Sequence, residues 1–354
     1  MAAVSRVLIV GAGISGALTA ALLRKELSHV HISVWEKARG AGMYIRFHLP
    51  VVRGDDILQK YVFECVEYVT FVFLISEFEE KQIYNELFST GLLQPFKGLI
   101  EGESPAGHSL QNFVCPKGFS ALVKHFLSSA APVDVKFESR VVSITKHPAT
   151  TTDQLVVSTE SGHQDTFDAV ILTVPVPQLF LLEGDIPKML DSNKTLKEQL
   201  ESVSYSSRFC LGIYYPPGTT LNLPWTAKYI DGHPCLRYIC VDTQKRADPQ
   251  SGQSVVVHSS VPWGVEHVEE SKDDVKPIML DYVRGLLPNL PDPEFVKGHK
   301  WRYSQARTPF PGSPGCVQLS KDPSLLVGGD GFSYSKFEGC IDSANALVAA
   351  VLHH

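Results

Sequence analysis

Residues 6–26, RVLIVGAGISGALTAALLRKE, have the order of a buried strand, a glycine turn and a helix. The apolar run 7–10 is typical of a parallel strand that is covered on both faces. Gly11, Gly13 and Gly16 then follow with the spacing G-x-G-x-x-G. The first glycine permits a tight turn, the second lets a phosphate approach the backbone, and the third lets the helix pack closely on the strand. The stretch therefore predicts a pyrophosphate-binding turn.

Two further residues support a dinucleotide at this turn. Ser15 lies at the predicted helix start, where free N–H groups and the positive end of the helix dipole favour a phosphate. A second strand, HVHISVWEK (29–37), places Glu36 twenty residues after Gly16. A carboxylate there accepts hydrogen bonds from ribose hydroxyls and repels a 2′-phosphate. This indicates an adenosine ribose without a 2′-phosphate, as in FAD or NAD.

The C-terminal stretch PSLLVGGDGFSYSKFEGCIDSANALVAAVL (323–352) favours FAD over NAD. It reads as a short strand, a Gly-Gly-Asp-Gly turn and a helix of small residues, an ending typical of glutathione-reductase-type FAD domains. The carboxylate would lie beside the ribityl chain or the pyrophosphate, and the helix start would face the flavin ring where negative charge develops on reduction. The alternative is a turn with an aspartate helix cap. The predicted FAD-binding residues here are Gly329, Asp330, Gly339 and Cys340. Val141, with Val142 as the alternative, is predicted to contact the adenine through its backbone.

The composition of the chain argues against several other classes of protein. The chain has 354 residues, 44% apolar and 20% charged, as in a soluble globular protein of two domains or one large interleaved domain. A net charge of −6 supplies no basic field for nucleic acid. The apolar stretch 61–76 contains two glutamates and is shorter than the roughly 20 residues of a membrane span. The seven cysteines are scattered without a C-x-x-C pair, so neither a disulfide framework nor a metal site is predicted.

The N-terminus allows two interpretations. Its early arginine and apolar run resemble a signal peptide. The same letters form the strand, turn and helix described above, and cleavage would remove them. We therefore expect no cleavable signal.

These elements predict an α/β fold in which a Rossmann-type FAD-binding domain is interleaved with a mixed-sheet substrate domain. Pro175 and Pro177 stop an apolar strand and mark an extended crossing between the domains. The predicted boundaries assign 1–83, 113–175 and 306–354 to the FAD domain, and 84–112 and 176–305 to the substrate domain.

Hydride transfer to a flavin requires orientation and exclusion of water more than acid–base groups. Aromatic rings that stack a nicotinamide and an arginine that holds a phosphate are therefore the side chains to look for. Each candidate has the alternative of an ordinary core or surface role. The predicted catalytic residues are Tyr229, Arg237, His258 and Trp301, and further candidates are Tyr205, Arg208, Trp225 and Arg302.

The motifs NFVCPKGFSALVKHFL, ILTVPVPQLFLLEGDI and GGDGFSYSKFEGCIDSA, with the N-terminal turn, resemble the FAD-dependent amine-oxidase-like superfamily. The resemblance covers residues 7–36 and nearly everything from 84 onwards. It implies an FAD oxidase of the 1,2- and 1,6-dihydro isomers of NAD(P)H, with O2 as the second partner and NAD(P)+ and H2O2 as products. It also implies secretion, with a cytoplasmic location as the alternative, and leaves the oligomeric state unknown.

Two alternative functions stay open. One is a secreted signalling protein that acts on a cell-surface receptor and binds its flavin weakly or incidentally. The other is an amine oxidase, which is disfavoured because the lysine that such enzymes place near flavin N5 has no matching motif here.

Residues 43–78 depart from the family pattern. The family has a Gly-Gly-Arg-Met turn, whose arginine pairs with the pyrophosphate, followed by an Asp-Leu-Gly-Ala-Gln-Tyr strand along the flavin. Neither Arg39 nor Arg46 has that glycine context, so no family role is assigned to them. The segment is either a mispredicted or alternatively spliced exon, which we favour, or a divergence that weakens FAD binding. Whether this chain is active depends on which of these two explanations is correct.

Overall fold

The structure is a computed structural model and describes residues 4–41, 78–102, 112–147, 154–246 and 252–353. The described residues form two compact units. The first unit comprises the described residues within Met1–Met43, Ser120–Tyr205 and Gln305–His354. The second comprises the described residues within Tyr44–Phe119 and Ser206–Ser304. Each unit contains a six-stranded sheet.

The strands are β1 (Arg6–Val10), β2 (His31–Trp35), β3 (Gln94–Pro95), β4 (Ile100–Glu101), β5 (Phe113–Val114), β6 (Val133–Lys136), β7 (Val141–Lys146), β8 (Leu155–Thr159), β9 (Gln164–Phe167), β10 (Ala169–Leu172), β11 (Glu183–Gly184), β12 (Ser204–Tyr205), β13 (Arg208–Tyr214), β14 (Ala227–Tyr229), β15 (Leu236–Val241), β16 (Ser254–Ser259), β17 (Phe295–Trp301), β18 (Ala306–Thr308), β19 (Cys316–Ser320) and β20 (Ser324–Gly328).

The helices are α1 (Ile14–Glu26), α2 (Phe78–Ser89), α3 (Phe119–Ser129), α4 (Val176–Leu179), α5 (Ile186–Ser192), α6 (Lys194–Glu201), α7 (Asp242–Arg246), α8 (Val261–Glu266), α9 (Lys272–Leu286) and α10 (Phe337–Leu352), with a 3-10 turn over Asp330–Phe332. None of the described helices is long and apolar enough to cross a membrane.

The main sheet of the first unit has the order β19-β20-β10-β1-β2-β6. All its neighbouring pairs are parallel except β19 with β20. The central strand β1 is buried on both faces, as its apolar run predicts, and α1 packs against α10 beside the sheet. The N-terminal strand and helix are therefore part of this unit's core.

The other face of this sheet covers a core shared with the smaller sheet β11-β7-β8-β9 and with α4–α6. Leu8 of β1, Val170 of β10 and Leu325 of β20 enter this core. The sheet is covered on both sides, so its parallel strands carry apolar side chains on both faces, including the face toward this core.

The observed division of the chain differs from the predicted boundary at 175/176. Residues 176–205 belong to the first unit, because Val176, Leu179 and Ile186 are at most 1% exposed in the same core as β1. Pro177 lies in the first turn of α4, where the missing N–H costs nothing, and does not force an extended crossing. Residues 78–83 and 113–119 likewise belong to the second unit.

The main sheet of the second unit has the order β17-β13-β16-β15-β14-β4. Leu211, Val257 and Ile239 point to one face, which α8 and α9 cover. Because side chains alternate along a strand, their neighbours Cys210, His258 and Tyr238 point to the opposite face. Trp225 lies in the core on the helix-covered face.

Candidate functional site

The carboxyl ends of four parallel strands collect the predicted cofactor residues of the first unit. The glycine turn follows β1, Glu36 follows β2, Thr173 follows β10, and Gly329 is the first residue after β20. In an open parallel sheet, this edge is where ligands bind.

The glycines of the turn have different surroundings. Gly11 has a φ of 110°, which favours glycine. A Cβ added to Gly16 would overlap the carbonyl oxygen of Gly11, so this glycine lets α1 approach the turn. A Cβ added to Gly13 would meet nothing within 4 Å. Gly13 is the N-cap residue of α1 and has no side chain, so open space lies beside the N-terminus of this helix. That combination fits a phosphate group.

Glu36 is fixed at the edge of this space. One of its carboxylate oxygens accepts the N–H of Ala12 at 2.8 Å, and the other accepts the N–H of Ala38 at 2.8 Å. A carboxylate oxygen can accept more than one hydrogen bond, so both remain acceptors for ribose hydroxyls. Ser139 donates its N–H to the Glu36 carbonyl at 2.8 Å, which brings the buried Val141 of β7 to the same end of the sheet.

Thr173 is a site residue that the sequence reasoning missed. Its hydroxyl donates to the carbonyls of Val10 at 3.0 Å and Gly11 at 3.3 Å. Its own carbonyl lies 3.8 Å from the position of a Cβ on Gly329. One threonine therefore supports the glycine turn and borders the turn after β20. Its position directly after a predicted parallel strand was the available signal.

The turn after β20 is held by serines. Gly329 has a φ of 118°, and its N–H donates to the hydroxyl of Ser343 in α10 at 2.6 Å. Ser335 donates its hydroxyl to the carboxylate of Asp330 and accepts the N–H of Ala306 at 3.0 Å. Burial raises the pKa of Asp330, while these hydrogen bonds act in the opposite direction.

The start of α10 adjoins the same turn. A Cβ on Gly339 would overlap the carbonyl oxygen of Tyr334, so glycine is required where the chain enters the helix. The Cys340 thiol is buried, hydrogen-bonds with Ser15 and lies near Asp330. Burial raises the pKa of Cys340 to about 12, so the thiol is neutral. A neutral thiol is a poor nucleophile.

The cofactor residues predicted at both ends of the chain thus meet in one unit, and their arrangement fits FAD. Gly13 leaves room for a phosphate, and Glu36 offers hydrogen-bond acceptors to a ribose. Asp330 offers a carboxylate after β20, which is separated from β1 by β10. Arg39 is exposed and pairs with Glu138 at 3.4 Å. Arg46 and nearly all of segment 43–78 lie outside the described residues.

The second unit carries a row of rings on the sheet face opposite α8 and α9, which we call the aromatic face. Its ring contacts join Tyr229 to Tyr238 at 5.2 Å, Tyr238 to His258 at 5.5 Å, and His258 to Trp301 at 5.4 Å. His299 continues the row, 5.2 Å from Trp301. Three of the four predicted catalytic residues are therefore brought together. Tyr238 was missed because it becomes part of the row only through strand register.

These features agree with known proteins. A family model described as flavin-containing amine oxidoreductase matches residues 46–352, and one described as an NAD(P)-binding Rossmann-like domain matches residues 9–64. The chain belongs to the flavin-containing amine oxidoreductase family. It is 38% identical to mouse (Mus musculus) renalase over 352 residues, which are 97% of this chain and 98% of the relative. It is therefore a renalase-like flavin oxidoreductase.

Two solved structures share this fold at low sequence identity. A protein from Exiguobacterium sp. 255-15, assigned as a protoporphyrinogen oxidase, has a TM-score of 0.69 at 13% identity over 99% of both chains. A Pyrococcus furiosus protein has a TM-score of 0.57 at 14% identity over 97% of both chains. At such identities the likeness concerns the fold alone.

Arg237 is the fourth predicted catalytic residue of this renalase-like oxidoreductase. It lies at an irregularity between Leu236 and Tyr238, and its guanidinium lies 5.7 Å from the Tyr229 ring. It donates to the carbonyl of Ile230 at 3.0 Å and forms an ion pair with Asp231. Its charge is thus engaged by a neighbouring carboxylate.

The further candidates occupy separate places. Arg208 is buried and pairs with Trp301 in register, so both lie on the aromatic face. Arg302 is held by Glu269 in a two-pronged ion pair at 2.7 and 2.8 Å. Tyr205 lies in the first unit, where its hydroxyl accepts the N–H of Val176 at 3.3 Å. Among the described residues, no group of three metal-ligating side chains occurs.

Proposed function

We propose that the chain is an FAD-dependent oxidase of the 1,2- and 1,6-dihydro isomers of NAD(P)H. The dihydronicotinamide, O2 and one proton would give NAD(P)+ and H2O2. FAD, when bound, accepts the hydride and passes the electrons to O2. The aromatic face is the observation that carries the proposal, because a run of buried and half-buried rings suits a flat, uncharged dihydronicotinamide.

The side chains of the aromatic face would orient the substrate and exclude water. Such positioning is the main contribution that a protein makes to hydride transfer, because no proton needs to move at the reacting carbon. We assign Trp301, His258 and Tyr229 to ring contacts with the nicotinamide. We assign Arg237 to the support of the Tyr229 ring, because Asp231 already engages its guanidinium.

In the first unit we assign the glycine turn and Ser15 to the pyrophosphate of FAD, Glu36 to the adenosine ribose and Val141 to the adenine. Gly329 and Asp330 would take the ribityl region, and the start of α10, with Gly339 and Cys340, would face the ring. We expect non-covalent FAD, because the Cys340 thiol is neutral and already bonded to Ser15. We also propose that the protein is secreted, which detection of the full-length chain in culture medium would test.

Rapid mixing without oxygen tests the proposed activity. We expect the 1,2- or 1,6-dihydro isomers of NAD(P)H to bleach the visible flavin absorbance in one turnover and to yield NAD(P)+. Readmission of O2 should restore the absorbance and release H2O2. Slow bleaching by these isomers beside fast bleaching by an amine would contradict the proposal. Oxidation of an amine is the second candidate function, because the matching family model is described as an amine oxidoreductase.

A further inference from the structure

The junction between α5 and α6 carries the sequence Asn193-Lys194-Thr195. The pattern N-x-[ST], with a middle residue other than proline, is the acceptor motif for N-linked oligosaccharides in secreted proteins. The chain has six asparagines, and only Asn193 is followed in this way. Asn222 and Asn289, for example, are each followed by Leu-Pro. Because a tripeptide alone is a weak signal, its surroundings in the fold carry the argument.

The fold keeps this motif at the surface of the first unit. All three of its residues are exposed. Leu190 of α5 and Leu200 of α6 are at most 3% exposed and anchor both helices in the core of the unit. The backbone between the helices is also fixed: Asn193 donates its N–H to the Leu190 carbonyl at 3.2 Å, and its carbonyl accepts the N–H of Lys197 at 2.9 Å. A bulky group attached here extends into solvent and requires no change in the core.

The two polar atoms of the Asn193 amide have different surroundings. Oδ1 accepts the N–H of Leu196 at 3.1 Å and so caps α6. Nδ2 makes no hydrogen bond with any of the described residues. The nearest charged side chains, Asp191 and Lys197, pair with each other at 2.9 Å. An N-linked sugar replaces one hydrogen on Nδ2 and leaves Oδ1 as an acceptor, so the modified side chain can still cap the helix.

We propose that Asn193 is an N-glycosylation site, which takes an oligosaccharide from a lipid diphosphate donor when the chain enters the endoplasmic reticulum. The inference rests on the secretion proposed above, which brings the chain to that compartment. In the transfer, Nδ2 forms a bond to C1 of the first sugar, the bond from C1 to the lipid diphosphate breaks, and the nitrogen loses one proton. The lipid diphosphate is the leaving group, and nothing is oxidised or reduced. The Thr195 hydroxyl completes the motif that the transferring enzyme requires.

Expression of the full-length chain in cultured animal cells tests this. One form has its natural N-terminus, and the other is preceded by the cleavable signal peptide of an unrelated secreted protein. We expect peptide N-glycosidase to remove one glycan from the signal-bearing form and to leave Asp in place of Asn193 in the peptide mass spectrum. Asn193→Asp keeps a capping oxygen and should carry no glycan. Thr195→Val should lose the glycan, and Thr195→Ser, which keeps a hydroxyl, should retain it.

The two forms separate this inference from the proposed secretion. Cleavage of the added signal shows that the chain has entered the endoplasmic reticulum, and such a chain without a glycan at Asn193 overturns the site. A glycan on the signal-bearing form, beside a natural form that stays unglycosylated inside the cells, supports the site and contradicts the secretion. If Asn193→Asp fails to fold, the two variants of Thr195 decide, because both keep the asparagine and its cap: equal glycan content in Thr195→Val and Thr195→Ser overturns the site.

Discussion

At the scale of single residues, Gly13 and Gly16 belong to one motif but have separable roles. A side chain at Gly13 projects into open space, whereas one at Gly16 overlaps the Gly11 carbonyl. We predict that Gly13→Val leaves the free energy of unfolding of the FAD-free protein nearly unchanged and lowers FAD affinity at least about 10-fold, because the isopropyl group occupies the phosphate position. Gly16→Val should destabilise the same protein by about 2 kcal/mol or more through overpacking. Urea unfolding and FAD titration of both variants measure the two effects, and an unfolded Gly13→Val with a stable Gly16→Val would contradict the assignment.

At the scale of elements, the turn that joins β20 to α10 holds a carboxylate at a cost in stability. The pKa of Asp330 is raised above its ordinary value, so the folded state loses stability as pH rises from that ordinary value through the raised one. We predict that Asp330→Asn, which resembles the neutral acid, makes the FAD-free protein at least as stable as wild type at neutral pH and removes this part of the pH dependence. FAD affinity should fall, because Asn offers no charge. Thermal melts between pH 4 and pH 8, a range of about four units that starts near the ordinary carboxyl pKa and extends above it, measure the effect. Asp281→Asn, on the exposed side of α9, is the control. A wild type whose stability exceeds that of Asp330→Asn increasingly toward neutral pH would refute this view of the turn.

At the scale of the whole molecule, we predict that segment 43–78 decides how well the chain holds FAD. The described residues supply the glycine turn, Glu36 and Asp330, while the arginine that the family pairs with the pyrophosphate has no counterpart in context. We predict weak FAD binding that is lost on dialysis, with a folded first unit. Replacement of 43–78 by the matching stretch of mouse renalase should raise FAD affinity about 10- to 100-fold, since a charge-assisted contact contributes roughly 1.5–3 kcal/mol. The same replacement with its turn arginine changed to glutamine is the matched control. FAD that stays bound to the unaltered chain through gel filtration and dialysis would show that the segment is functional as written, and sequencing the transcript across codons 40–80 identifies its origin.

The sequence by itself determined the cofactor site to the extent that its parts are local. A strand, three glycines, a helix and Glu36 follow one another within 31 residues, from 6 to 36, so their spacing alone fixes their relation. The Gly-Asp turn after β20 is equally local, and the order of parallel strands brings it to the same edge. The first unit continues beyond the predicted boundary at Pro175, and Pro177 suits the first turn of α4.

Only the tertiary structure decided the features that depend on long-range pairing. Thr173 reaches Gly11 because β10 lies beside β1, and no spacing along the chain records that neighbour. Tyr238 and His258 join one row because strand register assigns each side chain to a face. Trp225 lies in the loop before β14, and packing places it in the core on the helix-covered face. A shift of one residue in register moves a side chain to the other face, and the energy that sets register comes from the packed core. Local sequence therefore determined where the proposed FAD site lies, and packing decided which rings lie together.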